Sequence, residues 1–177
     1  MSLPQAWADL AFFRDDWPAI AARLQDQDWL PGPGRVFAAL ALTPPEAARV
    51  VILGQDPYPG HANGLAFSVT PQTPLPRSLK NIYAEMRDDL GAAPANGDLS
   101  HWARQGVLLL NTSLSVLPGQ AGVHAKWGWD RLARQAVARA QAARPLAFML
   151  WGAHAQKALA GLPRPQDLVI ETAHPSP

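Results

Sequence analysis

Asp56, Asn111 and His174 are the residues whose types and positions could do chemistry on a heterocyclic ring. Each comes at, or shortly after, the C-terminal end of an apolar run. A carboxylate can stabilise a developing positive charge, an amide can both donate and accept hydrogen bonds, and an imidazole can donate to an oxygen atom. Together these groups could bind and polarise a heterocycle.

Each of these residues also has a purely structural explanation. Asp56 could cap a turn, Asn111 could close a strand end, and His174 could be a solvated terminal residue. Their equivalent positions favour a site, because parallel strands deliver their carboxyl ends to the same edge of a sheet. Pro57 supports this interpretation, since its fixed φ stiffens the loop beside Asp56.

The apolar runs predict short parallel strands, and the segments between them have helical spacing and enough length for crossovers. The predicted strands are Val50–Gly54, Val107–Asn111, Leu146–Trp151 and Leu168–Ala173. One or two helices are predicted within Leu3–Leu30, and a short helix begins at Ser100. Further helices are predicted at Arg35–Leu42, Leu79–Leu90, Trp129–Ala143 and Ala153–Leu159. Ser78 is the expected N-cap of the helix at Leu79–Leu90, and Gly91 is its expected end. The expected fold class is α/β: a small four-stranded parallel sheet with helices on both faces, in three α/β/α layers.

Composition limits the classes of function. The chain has 177 residues, of which 48% are hydrophobic, so we expect a single domain over residues 1–177. Its formal net charge is +1, so an anionic partner must be met by a local patch. Cysteine is absent, which excludes disulfides, thiolate nucleophiles and cysteine-ligated zinc, and the histidines lack metal-ligand spacing. No signal peptide or membrane-spanning run is recognisable, so no membrane association is expected.

An ordered set of short stretches resembles the family 1 uracil-DNA glycosylases of bacteria, herpesviruses and mitochondria. The set covers most of the chain and is far more specific than any one of its members. The stretches are Gly54–Tyr58, Gly64–Val69, Pro76–Tyr83, Gly97–Ser100, Gly106–Asn111, Leu150–Gly152 and His174–Pro177.

The resemblance implies base-excision repair, in which the N-glycosidic bond of deoxyuridine in DNA is hydrolysed to free uracil and an abasic site. Asp56 matches the carboxylate that positions the attacking water and stabilises the positive charge on the sugar. His174 matches the imidazole that hydrogen-bonds a uracil carbonyl oxygen and stabilises the departing anion. This chemistry uses no metal or redox cofactor, so none is expected.

The resemblance also implies the substrate contacts. Asn111 matches the amide that reads the uracil edge, and Phe67 matches the ring that stacks on the base. Tyr58 matches the ring that fills the space a thymine methyl would need. Gln55 matches a residue whose backbone lies near the uracil oxygens.

The implied partner is uracil-containing DNA, single- or double-stranded, whose phosphates would be gripped by hydroxyls matching Ser78 and Ser176. The resemblance further implies a monomer, a cytoplasmic location with use at the nucleoid, and binding of the phage-encoded inhibitor of these enzymes. The sequence leaves open whether Lys126, Arg131 and Arg134 contact DNA or form a solvated helix face.

The sequence departs from the family pattern at a few points. The loop from Tyr58 to Gly64 is shorter than usual, and Ala153 stands where the family often has a phosphate-binding serine. The family also continues beyond the position of Pro177 with a Leu-Ser segment, whose leucine wedges into the duplex, and a final arginine-containing loop and helix. We therefore expect a chain without that segment to prefer single-stranded substrate, in which the base is already unstacked.

Two other functions remain possible from the sequence. One is a catalytically impaired or inactive uracil-DNA-binding module of the same fold, which the short loop and the missing segment favour. The other is a hydrolase of free nucleosides, against which the phosphate-contacting serines argue. Release of uracil from single-stranded DNA tests the first alternative, and an assay with deoxyuridine tests the second.

Overall fold

The structure, a computed structural model, describes residues 2–176, so Met1 and Pro177 at the ends of the predicted domain lie outside the described residues. Its centre is a sheet of four parallel strands. The strands are β1 (Val50–Gly54), β2 (Val107–Asn111), β3 (Ala147–Trp151) and β4 (Leu168–Thr172), arranged in the order β2-β1-β3-β4. The predicted sheet is confirmed, with β3 beginning just after Leu146 and β4 ending just before Ala173.

Helices precede the first strand and fill the segments between the strands, as predicted. They are a 3₁₀ turn (Gln5–Trp7), α1 (Ala11–Asp15), α2 (Trp17–Leu24), α3 (Ala38–Leu42), α4 (Arg77–Leu90), α5 (Ser100–Arg104), α6 (Trp129–Ala143) and α7 (Gly152–Ala158). The helix predicted from Arg35 begins only at Ala38, because the preceding residues form a turn. Within residues 2–176, none of these helices is long and apolar enough to cross a membrane.

Ser78 is not the N-cap of α4, and that prediction was wrong. The helix begins at Arg77, with Pro76 in the cap position at φ −61° and ψ 158°. Proline suits this place because its φ is already fixed and it has no N–H to satisfy. The Ser78 hydroxyl is used elsewhere, 2.9 Å from the Ser176 hydroxyl. The predicted helix end is right: Gly91 is left-handed at φ +71° and donates to a carbonyl of the last turn.

Burial decreases across the sheet from β2 and β1 to β4. Val51, Ile52 and Leu53 are consecutive and all buried, as are the residues of Leu108–Leu110. Because successive side chains point to opposite faces, both faces of β1 and β2 are covered, as the predicted three-layer fold requires. Every residue of β4 is exposed, and Leu168 keeps 59% of its surface accessible.

A crevice forms where β1 and β3 separate. Pairing between β1 and β2 runs from Val50 to Gly54, whereas pairing between β1 and β3 stops at Ile52 and Met149. Here the strand order also reverses, since β2 lies on one side of β1 and β3 on the other. Open α/β sheets bind ligands at such a switch point, beyond the carboxyl ends of the strands.

Aromatic rings join the N-terminal helices to the start of α6. The ring of Phe12 lies 5.7 Å from that of Trp129, and the ring of Trp17 lies 5.6 Å from it. Trp129 is fully buried. The first residue of α6 is therefore fixed in the core, which also anchors the loop that precedes it.

Candidate active site

Asp56 lies just beyond β1, in the loop that enters the crevice. It is half-buried, and its Oδ2 accepts a hydrogen bond of 2.5 Å from the backbone N–H of Gly122. Its Oδ1 has no hydrogen-bond partner among residues 2–176. One oxygen is thus held in place, and the other is free for a water molecule or a positive charge. Gly122 could not be predicted from the sequence, because its donor is a backbone N–H, which nearly every residue has.

Asn111 ends β2 directly opposite Gly54 of β1. The residue as a whole is only 6% exposed, and its carboxamide makes no hydrogen bond within the described part of the chain. A Cβ at Gly54 would lie 2.2 Å from the Asn111 Oδ1, so the close packing depends on glycine. The amide atoms keep some contact with solvent, so they are available to a ligand that presents a donor and an acceptor.

His174 follows β4 and reaches the crevice over Gly152. A Cβ at Gly152 would lie 2.9 Å from the His174 Cβ, so the missing side chain lets the histidine approach. The Ser176 N–H donates to Nδ1 of His174 at 3.0 Å, and the Ser176 carbonyl lies farther from Nδ1, at 3.3 Å. Since a backbone N–H can only donate, the neutral ring carries its proton on Nε2, where it can be donated to a substrate.

Phe67 is held beside His174 in an uncommon backbone conformation. Its φ is +63°, in the left-handed region that aromatic residues rarely adopt. Its ring centroid is 5.9 Å from that of His174 and 5.4 Å from that of Trp151. Phe67 is buried, but its position next to His174 is one from which a ring could stack on a planar base.

A buried polar network holds the turn that carries Phe67. The Asn63 Nδ2 donates to the Ser68 Oγ at 2.8 Å. The Ser68 Oγ donates to the carbonyl of Gly97 at 3.1 Å and accepts from the N–H of Leu99 at 2.9 Å. Because Asn63 and Ser68 are both almost fully buried, these bonds can keep the strained conformation in place.

Tyr58, Ser78 and Ser176 come together at the start of α4. Burial raises the pKa of the Tyr58 phenol, although the nearby Ser78 hydroxyl acts in the opposite direction. Ser78 and Ser176 are joined hydroxyl to hydroxyl, and the Asn81 amide donates to the carbonyl of Pro175 at 2.6 Å. These contacts fasten the segment that follows β4 to α4.

The backbone of Gln55 is fixed by groups that follow β2. Its carbonyl accepts from the Thr112 hydroxyl at 2.9 Å and from a backbone N–H, also at 2.9 Å. Since the hydroxyl proton is used there, the Thr112 Oγ1 accepts from the Nε2 of His154, 2.7 Å away. Burial lowers the pKa of His154, while Asp56 raises it and His174 lowers it further. His154 is one of the histidines without metal-ligand spacing, and nothing in the sequence motifs predicted its contact with Thr112.

The basic side chains of α6 make internal contacts. The Arg131 guanidinium donates to a carboxylate oxygen of Asp16 at 2.6 Å, and that of Arg134 donates to the carbonyl of Ala158 at 2.6 Å. These contacts favour a structural explanation for both arginines, while Lys126 is exposed. Over residues 2–176, no group of three or more His, Asp or Glu residues could hold a metal ion.

The sequence pattern of the Uracil DNA glycosylase superfamily matches residues 41–177. The chain belongs to this superfamily. The match includes all four strands and every residue to which a site role was assigned.

Individual members of the superfamily are similar over nearly the whole chain. The uracil-DNA glycosylase of Ruegeria sp. is 58% identical over 177 residues, which cover 97% of this chain and 75% of that protein. The uracil-DNA glycosylase of Sinorhizobium medicae is 51% identical over 158 residues, 86% of this chain and 65% of that protein. The chain therefore spans about two thirds to three quarters of the length of these relatives.

A solved structure of the superfamily has the same fold. The crystal structure of mimivirus uracil-DNA glycosylase superimposes with a TM-score of 0.88 at 30% identity, covering 99% of this chain and 70% of that chain. A Y322L variant of mimivirus UNG, crystallised in complex with UGI, is equally similar, with a TM-score of 0.88. These structures confirm the predicted α/β fold of the superfamily.

Proposed function

We propose that this chain removes uracil from DNA by hydrolysing the N-glycosidic bond of deoxyuridine, which leaves an abasic site. The observation that carries the proposal is the carboxamide of Asn111, a buried residue. This carboxamide has no hydrogen-bond partner within residues 2–176 and lies at the same sheet edge as Asp56 and His174. In a member of the uracil-DNA glycosylase superfamily, such an arrangement suits a polar ring better than a metal or a phosphate.

Recognition of uracil rests on Asn111, Phe67 and Tyr58. The Asn111 carboxamide presents one donor and one acceptor to the uracil edge, which carries the complementary pair. Phe67 stacks on the ring, and Tyr58 fills the space beside it. A methyl group on the base would meet the Tyr58 ring, so thymine is excluded by steric conflict, although Asn111 would read its edge equally well.

Bond cleavage rests on Asp56 and His174. The bond between C1′ of the sugar and N1 of uracil breaks, and its electron pair leaves with the ring. The Asp56 carboxylate stabilises the positive charge on the sugar. The Nε2–H of His174 donates a hydrogen bond to a uracil oxygen, keeps its proton and stabilises the anion. The oxygen of a water molecule bonds to C1′, and the proton it loses reaches the uracil anion by way of solvent.

The DNA strand is held by its phosphates, with the hydroxyls of Ser78 and Ser176 as contacts. These hydroxyls bond to each other in the structure, so a phosphate oxygen would compete for that pair. A base inside a duplex must first be flipped out of the stack, which costs a few kcal/mol and is least costly in a single strand. Both forms of uracil-containing DNA are therefore substrates, and binding weakens as salt rises.

The proposal extends to partners and location. All the named site residues come from one chain, which supports action as a monomer. The mimivirus variant in complex with UGI supports binding of an inhibitor of that type here. Because the substrate is DNA and the similar curated relatives are bacterial, we place the activity in the cytoplasm, at the nucleoid.

The test is release of free uracil from a single-stranded oligonucleotide with one deoxyuridine. The controls are the same oligonucleotide with thymidine and free deoxyuridine. We expect uracil from the first substrate and no base from either control. Comparable cleavage of free deoxyuridine would indicate a nucleoside hydrolase. No cleavage by a folded chain that still binds uracil-DNA would indicate an inactive binding module.

A further inference from the structure

We infer that His124 is a positioning residue for Asp56, acting through the loop that carries Gly122. The inference rests on the proposed function, because it concerns the orientation of the carboxylate assigned to the reaction. Gly122 donates directly to Asp56, and nothing in the sequence motifs of the site accounts for how this donor is held.

The first observation is a buried hydrogen-bonded clamp beside Gly122. The Nδ1 of His124 lies 2.9 Å from the Oγ of Ser115, and the indole N–H of Trp129 donates to the same Oγ at 2.9 Å. His124, Ser115 and Trp129 are each at most 1% exposed. The clamp therefore ties a residue two positions after Gly122 to the segment after β2 and to the start of α6.

The second observation is a stack on the other side of the imidazole. The rings of His124 and Trp127 are nearly parallel, with centroids 3.8 Å apart. The Arg23 guanidinium covers the Trp127 ring at 3.7 Å, a cation–π geometry. Burial lowers the pKa of His124, and the charge of Arg23 lowers it further. The imidazole is thus fixed from two directions, by a hydrogen bond and by a stacked ring.

The third observation links the clamp to the donor. The N–H of Ala125 bonds to the carbonyl of Gly122 at 3.0 Å, which closes a turn around His124. Gly122 itself is left-handed, at φ +75°, and has open space beside it. The direction of the Gly122 N–H therefore depends on the turn that the Ala125 bond closes, and the turn depends on the clamp. Loss of the clamp should let Asp56 rotate, and small misplacements of reacting groups can lower rates about 100-fold.

His124 also has a plain structural explanation, as a core residue that only stabilises the fold. Its Nε2 is buried and has no partner within residues 2–176, so the contacts that hold the ring are the Nδ1 hydrogen bond and the stack on Trp127. A general loss of stability would affect recognition by Asn111 as much as chemistry by Asp56. Positioning of Asp56 would affect only the chemical step, and this difference can be measured.

The test is a double-mutant cycle on single-turnover uracil release from single-stranded DNA. We expect His124→Ala to lower the rate roughly 10-fold to 100-fold with little change in substrate binding. In the Asp56→Asn background the same substitution should change the rate less than about twofold, because the carboxylate it orients is gone. In the Asn111→Ala background its full effect should persist. Equal effects in both backgrounds would overturn the inference.

Conservative replacement gives a second readout. His124→Asn keeps a hydrogen-bonding atom near the position of Nδ1, so it should recover at least part of the rate lost in His124→Ala. Gln141→Leu is the matched control for general destabilisation, since Gln141 is another buried polar residue, bonded to Asp167 and to the carbonyl of Leu162. At equal Tm, a rate loss in Gln141→Leu as large as in His124→Ala would contradict positioning.

Amide hydrogen exchange tests the inference without reference to activity. In the parent chain the Gly122 N–H is protected by its bond to Asp56, and His124→Ala should raise its exchange rate at least tenfold. The amide of Ala66, bonded to the carbonyl of Leu109 in β2, should be unaffected. Unchanged protection of Gly122 in the folded variant would refute the inference, even if the parent released no uracil. If the parent released no uracil but the exchange rates changed as expected, the proposed function would be refuted and the inference about Gly122 would stand.

Discussion

Some polar side chains around the crevice have hydrogen-bond partners within the protein, and others are available to a ligand. Thr112, His154 and Ser68 have hydrogen-bond partners and hold the backbone in place. The Asn111 carboxamide and the Asp56 Oδ1 have none within residues 2–176. The groups without partners belong to residues with proposed substrate contacts, so they are available to a ligand.

The single substitution Tyr58→Ala should weaken discrimination against thymine. Uracil and thymine differ by one methyl group, and favourable contacts alone discriminate such a difference by roughly 10-fold to 200-fold. A steric barrier can exclude the larger base more strongly, so removing the ring should let thymine enter. The measurement is thymine release from a single-stranded oligonucleotide.

The matched control is Tyr58→Phe, which keeps the ring and loses only the hydroxyl near Ser78. It should still reject thymine. If Tyr58→Ala releases uracil and still ignores thymine, another residue forms the barrier.

Strand ends are the elements that bring the site together. β1 and β2 remain paired to their last residues, which fixes Gly54 against Asn111. β1 and β3 separate earlier, which opens the crevice into which Asp56 leads. The parallel arrangement therefore both aligns the polar residues and makes the space between them.

Gly54→Ala should disrupt the site from within β1. The new Cβ would lie 2.2 Å from the Asn111 Oδ1, so the carboxamide must move. We expect uracil release to fall about 100-fold, as misplacement of a substrate-orienting group by about 1 Å can do. Single-turnover kinetics measure the loss.

Gly34→Ala is the control, because a Cβ there meets nothing within 4 Å and the residue has no positive φ. Its rate should stay within about twofold of the parent, since isolated surface substitutions have small effects. A parent-like rate in Gly54→Ala would mean that the position of Asn111 does not matter.

Most of the strands and helices were predictable from sequence, because apolar runs bounded by glycine and polar residues are typical of buried strands. Val50–Gly54 and Val107–Asn111 match the predicted strands residue for residue. The N-cap role of Ser78 was wrong, because its hydroxyl pairs with Ser176, a contact across 98 positions that local patterns do not contain. For the same reason Gly122 and His154 were missed, since their roles come from backbone geometry and from tertiary neighbours.

Across the whole molecule, packing is dense around β1 and β2 and sparse around β4. Asp56 and Asn111 therefore stand on a covered part of the sheet, whereas His174 follows an exposed strand. Hydrogen bonds from α4, through Ser78 and Asn81, help to hold the His174 segment. The two sides of the site are thus supported by different parts of the fold.

Asp167 makes the fold sensitive to acid. Its side chain is fully buried. Burial alone would raise its pKa, but hydrogen bonds from the Leu146 N–H, from Arg164 and from Gln141 outweigh burial and lower the pKa to about 2. Because the folded pKa lies below the ordinary value of 3.8, the ionised group stabilises the fold above about pH 4. That stability is lost as the pH falls from about 4 towards 2.

Asp167→Asn should lower the free energy of unfolding at pH 7 by roughly 2 kcal/mol, since charged hydrogen bonds are lost. It should also flatten the fall in stability between pH 4 and 2. Urea unfolding at several pH values measures both effects. Asp15→Asn is the control, because Asp15 forms only an exposed ion pair with Arg14 and should contribute little. Equal acid sensitivity of Asp167→Asn and the parent would show that another group is responsible.

The central claim is that Asp56 stabilises the transition state for removal of uracil. The most direct measurement compares single-turnover uracil release and uracil-DNA binding in the parent and in Asp56→Asn. The substitution is nearly isosteric and removes the negative charge, so we predict on the order of a 100-fold or greater loss of rate with unchanged binding. An unchanged rate in Asp56→Asn would contradict the account, because Asp56 would then be a turn residue.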